Sequence, residues 1–243
     1  MEPAKAVRVL FPLNIPSGTA YCGTAFGAIE RPVNNNTSWE SARDEVPAQG
    51  WIDISNNGYG AALISTVKYG YRVKDRILDL CLLRSVPYPG SELLNQGYTD
   101  LGNHVFSYSL FIHKGDYGSG RVVNESSELS VPPQIIIRKD CLIRSDLSDS
   151  YFTLDDPGVV VSAVKPSESG SGIILRLYES RGRSSSTFLN VHSLIIKRYG
   201  SVYEVNLMEE IEGEVSLTDN KIKVSINPYE IKTFMFKDRL KNR

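Results

Sequence analysis

Apolar and polar residues alternate with a period of two through much of this chain, and no long stretch sustains the three-to-four spacing of an amphipathic helix. Val7, Val9 and Phe11 form the first alternating run; a Pro and Gly break follows, and residues 21–29 read as a second strand. Residues 34–43 are polar and poor in strand formers, which predicts a loop carrying Trp39. Asn57-Gly58 separates two strand-like runs, 51–54 and 59–64, and an Asn-Gly pair accepts the positive φ angles of a tight hairpin turn. Residues 77–83 are almost continuously apolar but too short for a helix, so they predict a strand buried on both faces. Farther on, Phe106, Tyr108, Leu110 and Ile112 alternate with Ser107 and Ser109, which puts one face of that strand in a core.

The second half repeats the pattern after a break. Residues 114–133 are rich in Gly, Ser and Glu and end in Pro132-Pro133, the strongest linker composition in the chain. A boundary is therefore expected between residues 123 and 150, dividing the chain into a larger β unit, 1–140, and a smaller one, 141–243. Short apolar segments follow at 135–138, 159–164, 173–178, 188–191, 202–207 and 221–226, separated by Gly, Ser, Asp and Asn, the spacing of a β-sandwich. In the last of these Ile222, Val224 and Ile226 face one way and Lys221, Lys223 and Ser225 the other, so it lies at a sheet surface. The fold class expected is all-β.

Composition narrows the function more by exclusion than by assignment. With 243 residues and 41% hydrophobic content the chain buries a full core. Twenty-seven basic residues against 28 acidic ones leave a net charge of −1, which supplies no field to draw nucleic acid or an anionic membrane. The first residues carry prolines and charges where a signal peptide has an apolar run, and nothing approaches the ~20 apolar residues of a membrane span. A cytoplasmic location is the expectation. Cys22, Cys81 and Cys141 are odd in number and have no C-x-x-C spacing, so they read as reduced thiols without metal.

Candidate chemistry concentrates after the hairpin. In Lys68-Tyr69-Gly70-Tyr71 a glycine between two tyrosines permits a sharp bend, crowding a cation and two rings into one region. A sugar-facing loop is built this way, and so is a strand end whose tyrosines cap the core. His104 and His113 are nine apart, which places them on opposite faces of a strand and argues against a joint metal site. His192 reads as a structural histidine. Asp155-Asp156 precedes Pro157-Gly158 in a turn, and adjacent carboxylates in extended chain point apart. Arg31 and Arg43 are expected to tie loops together through Glu30 and Glu45, and Glu179 to join a surface network with Arg176 and Arg181. No P-loop, nucleophile elbow or dinucleotide fingerprint occurs.

The stretch EVPAQGWIDIS, followed by NNGYGAALI and KYGY, resembles the C-terminal β region of the glycoside hydrolase family 38 α-mannosidases. The likeness extends upstream through Phe26-Gly27, Glu30-Arg31-Pro32 and Thr37-Ser38-Trp39. Downstream it runs through Leu83-Arg84-Ser85, the spaced set Asp100 to His113, Val164-Lys165-Pro166, Leu175 to Glu179 and Pro228 to Thr233. The resemblance implies part of a large galactose-mutarotase-like β-sandwich followed by a smaller terminal one. It also implies retaining hydrolysis of α-mannosides by an N-terminal α/β domain that carries zinc and the catalytic aspartates. This chain is then expected to hold no cofactor and no catalytic residue, to act with that catalytic domain on carbohydrate, and to self-associate through the exposed contact surface when alone. Lys68, Tyr69, Tyr71, Arg84 and His104 are the candidates for lining a sugar cleft. The loop departs from its relatives at Ser65-Thr66, where Asn-Asp is usual, and at Arg72, where Asp is usual, and Tyr117 stands where a tryptophan is usual. A free-standing carbohydrate-binding or scaffolding sandwich is the alternative, and an independent enzyme a third.

Overall fold

Two runs of antiparallel strands close on separate cores, one in the unit Met1–Pro132 and one in Pro133–Arg243. The computed structural model describes residues 5–34, 36–56, 58–85, 102–135, 137 and 150–239. The expected boundary at 140/141 lies outside the described residues.

In the first unit the chain runs β1 (Lys5–Pro12), β2 (Thr19–Thr24), β3 (Gly27–Pro32), α1 (Ser38–Ala42), β4 (Val46–Pro47), β5 (Trp51–Asn56), β6 (Tyr59–Ser65), β7 (Gly70–Lys74), β8 (Ile77–Ser85), β9 (Tyr108–Lys114) and α2 (Val122–Ser130). One sheet has the order β1-β8-β7-β4 and the other β3-β2-β5-β6-β9. The side chains that alternate inward from both, among them Ile52, Ile54, Leu63, Tyr71, Leu78 and Leu80, form a single core. The β5–β6 hairpin pairs Asn56 with Tyr59, and Gly58 at φ 125° supplies the turn conformation that a side chain resists.

Three local expectations change. Residues 21–29 are a hairpin and not one strand: Phe26 turns the chain at φ 62° and β2 folds back on β3. The polar loop around Trp39 contains α1, started by a capping box in which the Thr37 hydroxyl accepts from the Glu40 amide while the Glu40 carboxylate accepts from the Thr37 amide. The linker-like stretch holds α2, whose Val122, Val123 and Ser126 are buried against β5 and β6. Its apolar content is low because only one side of two turns needs to be covered.

The outward face of the first sheet carries a charge ladder across three strands. Asp79 is buried between Arg8, 2.7 Å away, and Arg72, 2.6 Å away; Arg8 also pairs with Glu45, and Arg72 with Asp44. Arg72 therefore has two carboxylate partners that compensate its charge at a position where the resemblance leads one to expect an acid.

The second unit comprises β10 (Phe152–Leu154), β11 (Val159–Pro166), β12 (Gly172–Glu179), β13 (Ser185–Val191), α3 (Ser193–Arg198), β14 (Tyr199–Val205), β15 (Ile211–Val215), β16 (Lys221–Ile226) and β17 (Ile231–Asp238). Its sheets, β10-β13-β16 and β11-β12-β17-β14-β15, enclose Leu175, Leu177, Leu189, Ile222, Val224, Phe234 and Phe236. In β16 the isoleucines and valine are buried and the lysines exposed, as the strict alternation predicts. His192 caps α3, its Nδ1 accepting from the Leu194 amide at 3.2 Å.

Glu179 is a correction. It is fully buried, and its carboxylate accepts from the backbone amides of Arg181, Gly182, Arg183 and Tyr229 at 2.7 to 3.2 Å. Backbone donors converging from two loops satisfy the charge; of the two arginines expected beside it, Arg181 lies 3.8 Å away and Arg176 turns to Thr233. Asp155 and Asp156 do point apart, the first to Asn190 and the second to Arg181 and Ser185.

Candidate functional site

The segment between β6 and β7 is pinned at several points, so its side chains project from a defined backbone. The Lys68 amide donates to the Ser65 hydroxyl at 3.2 Å, the Ala48 amide to the Tyr69 carbonyl at 3.0 Å, and the Ser65 amide to the Gly50 carbonyl at 2.8 Å. Gly70 lies against Glu45, whose carboxylate a Cβ at that position would meet at 2.8 Å. The bend that was legible in Tyr-Gly-Tyr thus sends the two rings to different places.

Tyr71 goes inward. Its ring is 0% exposed within the first core, and burial pushes its phenol well above the usual tyrosine range. The expectation that it lines a cleft is corrected: Tyr71 starts β7 on the core side, where the alternation of the strand places it with Leu78 and Leu80. Tyr69 is 53% exposed and borders an open groove of ≈540 Å³ with Gly23, Thr24, Ile29, Arg31, Pro47 and Gln49 among its walls.

Lys68 and His104 are brought together by Phe106, which the sequence pattern assigned to a core-facing strand and not to the site. The Lys68 ammonium sits 4.5 Å from the centre of the Phe106 ring, and His104 stacks on the same ring at 5.8 Å. Arg84 stands apart on β8, its side chain 62% exposed and 3.9 Å from Glu45. These residues offer donors and rings for directional hydrogen bonding and stacking.

Neither Arg31 nor Arg43 pairs with a carboxylate among the described residues, contrary to expectation, because Glu45 is taken by Arg8 and Arg84. Arg31 reaches the Cys22 thiol instead, and burial pushes that thiol up to about 11 against the pull of the guanidinium. Cys22 therefore stays neutral and balances no charge.

The outer face of the second sheet holds a buried His–Asp pair. His113 Nε2 lies 2.6 Å from Asp53 Oδ2, with the imidazole between Gly60 and Gly120, where any Cβ would overlap the ring. Nearby Tyr117 stacks on Trp51 at 5.2 Å and lies tilted against Tyr21 at 4.8 Å, at a position where the resemblance leads one to expect a tryptophan. His104 is exposed and His113 buried. No group of three His, Cys, Asp or Glu side chains among the described residues could hold a metal ion, so the zinc implied by the resemblance has no seat in them.

Residues 2–92 match the family model of the glycosyl hydrolases family 38 C-terminal domain, and residues 158–234 match that of the family 38 C-terminal beta sandwich domain. The chain belongs to glycosyl hydrolase family 38, in its C-terminal region. This family 38 region is 31% identical over 237 residues to mouse alpha-mannosidase 2C1, covering 96% of the chain and 22% of that protein. It is 34% identical over 236 residues to alpha-mannosidase G of Dictyostelium discoideum, covering 97% of the chain and 21% of that protein. The chain thus spans about a fifth of the length of the curated relatives it matches. Its fold is similar to that of a solved alpha-mannosidase from Enterococcus faecalis V583, with a TM-score of 0.71 at 18% identity, covering 96% of this chain and 26% of that one. No helix among the described residues is long and apolar enough to cross a membrane.

Proposed function

We propose that this family 38 region is the C-terminal β part of an α-mannosidase, working only when joined to an N-terminal catalytic portion that hydrolyses α-mannosides. The observation that carries this reading is one of proportion: relatives named alpha-mannosidases align with nearly the whole chain, yet the chain spans only about a fifth of each. The described residues support it by what they offer. They present no cluster of three potential metal ligands, and their buried carboxylates Asp53, Asp79 and Glu179 are each held by His113, by arginines or by backbone amides. Retaining hydrolysis needs two carboxyl groups about 5 Å apart across an open cleft. Those groups then come from the catalytic portion, as does zinc.

In this reading Lys68, Tyr69 and His104, with Arg84 apart from them on β8, face the catalytic portion and its carbohydrate. Tyr69 offers a flat apolar face for a sugar ring, and Lys68 keeps N–H donors on the side away from Phe106. The test is substitution in the joined enzyme. Lys68→Ala and Tyr69→Ala should raise KM for an aryl α-mannoside with little change in melting temperature; an unchanged KM in both would remove these residues from the sugar wall.

A further inference from the structure

One half-buried arginine of the first unit has no ion pair among the described residues. Arg31, on β3, has its Nε buried without a hydrogen-bond partner, forms no ion pair among the described residues, and meets the neutral thiol of Cys22. Arg43 is exposed to solvent and lines with Arg31 and Asp44 a small cavity of ≈30 Å³, so the half-buried Arg31 is the cation in question. A guanidinium withdrawn from water without an acid is unfavourable unless a partner completes it, and Arg is the side chain best suited to bidentate carboxylate binding. Arg31 also lines the ≈540 Å³ groove, whose other walls are mostly apolar: Ile29 on one side, Pro47 and Ala48 below, Tyr69 across. Its neighbours add exposed apolar area, since Phe26 is 42% exposed and Ile29 46%.

We propose that this groove is the docking seat for an acidic side chain flanked by apolar residues on the catalytic portion, its carboxylate closing on Arg31 and its apolar flank lying against Ile29 and Pro47. The inference rests on the reading that such a portion is joined to this chain. Charge complementarity selects the occupant: an unpaired cation at the edge of an apolar hollow fits a carboxylate with a hydrophobic body, and a neutral sugar leaves the guanidinium unbalanced. The groove differs from the sugar wall in this respect. Lys68 is already placed over Phe106, and Arg84 lies beside Glu45, so neither needs a charge from outside.

The experiment mixes the purified chain with the segment encoded immediately upstream and measures their dissociation constant and the oligomeric state of the free chain. Arg31→Glu and Arg31→Gln should weaken association by about thirtyfold or more, the scale expected for removing one partner of a desolvated charge pair. Ile29→Ala, at a residue 46% exposed in the groove wall, should weaken it by a smaller factor while leaving the free chain's melting temperature unchanged. Replacing one acidic residue of the upstream segment by Arg should restore binding to the Arg31→Glu chain, which a purely structural role for Arg31 does not allow. Association that is unaffected by Arg31→Glu and Ile29→Ala overturns the docking seat and leaves the proposed function standing. Absence of any association overturns both. Self-association of the free chain that disappears in Arg31→Glu assigns the groove to a second copy and also overturns the proposal.

Discussion

His113 Nε2 and Asp53 Oδ2 stand 2.6 Å apart beneath α2, joining β9 to β5 across β6 through two buried side chains. The strands place them there by register: Gly60 opposite His113, and Asp53 opposite Ala62, leave room for the ring to reach the carboxylate. Burial alone lowers the His113 pKa, but Asp53 more than offsets this, with Asp116 adding to the rise, so His113 holds its proton more tightly folded than unfolded. Burial also pushes the Asp53 carboxyl up, with His113 pulling the other way. A raised histidine pKa contributes stability that is fully present below the unfolded value of about 6.5 and is lost as pH rises through the folded value. The first unit should therefore melt at progressively lower temperature as pH rises from 6 to 9, and His113→Gln should flatten that slope. His113→Ala should cost about 3 to 5 kcal/mol by leaving Asp53 buried alone, measurable by denaturant unfolding. A pH-independent melt of the native chain, the same as that of His113→Gln, would contradict this account of the pair.

The two tyrosines flanking Gly70 should behave differently on truncation. Tyr71→Ala opens a cavity in the first core and should cost about 3 to 5 kcal/mol. Tyr69→Ala removes a half-exposed ring and should stay within about 0.5 kcal/mol of the native chain. Chemical denaturation of both variants checks the contrast; equal losses would place the two rings in equivalent surroundings.

Glu179 should be the most sensitive acid of the second unit. Glu179→Gln puts an NH₂ group against at least one of four backbone donors, and with loss of the charge it should cost about 2 to 4 kcal/mol. Faster hydrogen exchange at the amides of Gly182 and Arg183 is the local signature to look for. An isotherm unchanged by the substitution would mean that the amide nest does not hold the turn.

The strand pattern was legible where burial was one-sided. β16 and the β5–β6 hairpin follow directly from alternation and from an Asn-Gly pair, because a solvent-facing side must be polar and a tight turn needs positive φ. β17 was missed as a strand although it lies between β12 and β14: Ile231 to Phe236 combine the polar pair Lys232-Thr233 with the apolar run Phe234 to Phe236 and show no alternation, a pattern that periodicity alone does not separate from other buried segments. α1 and α2 were missed because each is too short to show a helical repeat, and only the capping box at Thr37 and Glu40 betrayed the first. Of the candidate site, the projection of Lys68 and Tyr69 followed from the Gly70 bend, but the inward turn of Tyr71 depended on the register of β7 against β8. The Asp53–His113 pair joins residues sixty apart, and the one local sign was an Asp inside an apolar strand. Glu179 resembled a surface acid for the same reason: its partners are backbone amides, which carry no mark in the sequence.

The central claim is that this family 38 region lacks catalysis of its own and gains it from an N-terminal portion. The most direct measurement is the turnover of an aryl α-mannoside with zinc supplied, by the chain alone, by the upstream portion alone, and by the two co-expressed. The account predicts no turnover above background from the chain alone and metal-dependent turnover from the pair. Zinc-dependent turnover by the purified chain alone, abolished by a substitution within it, would contradict the account.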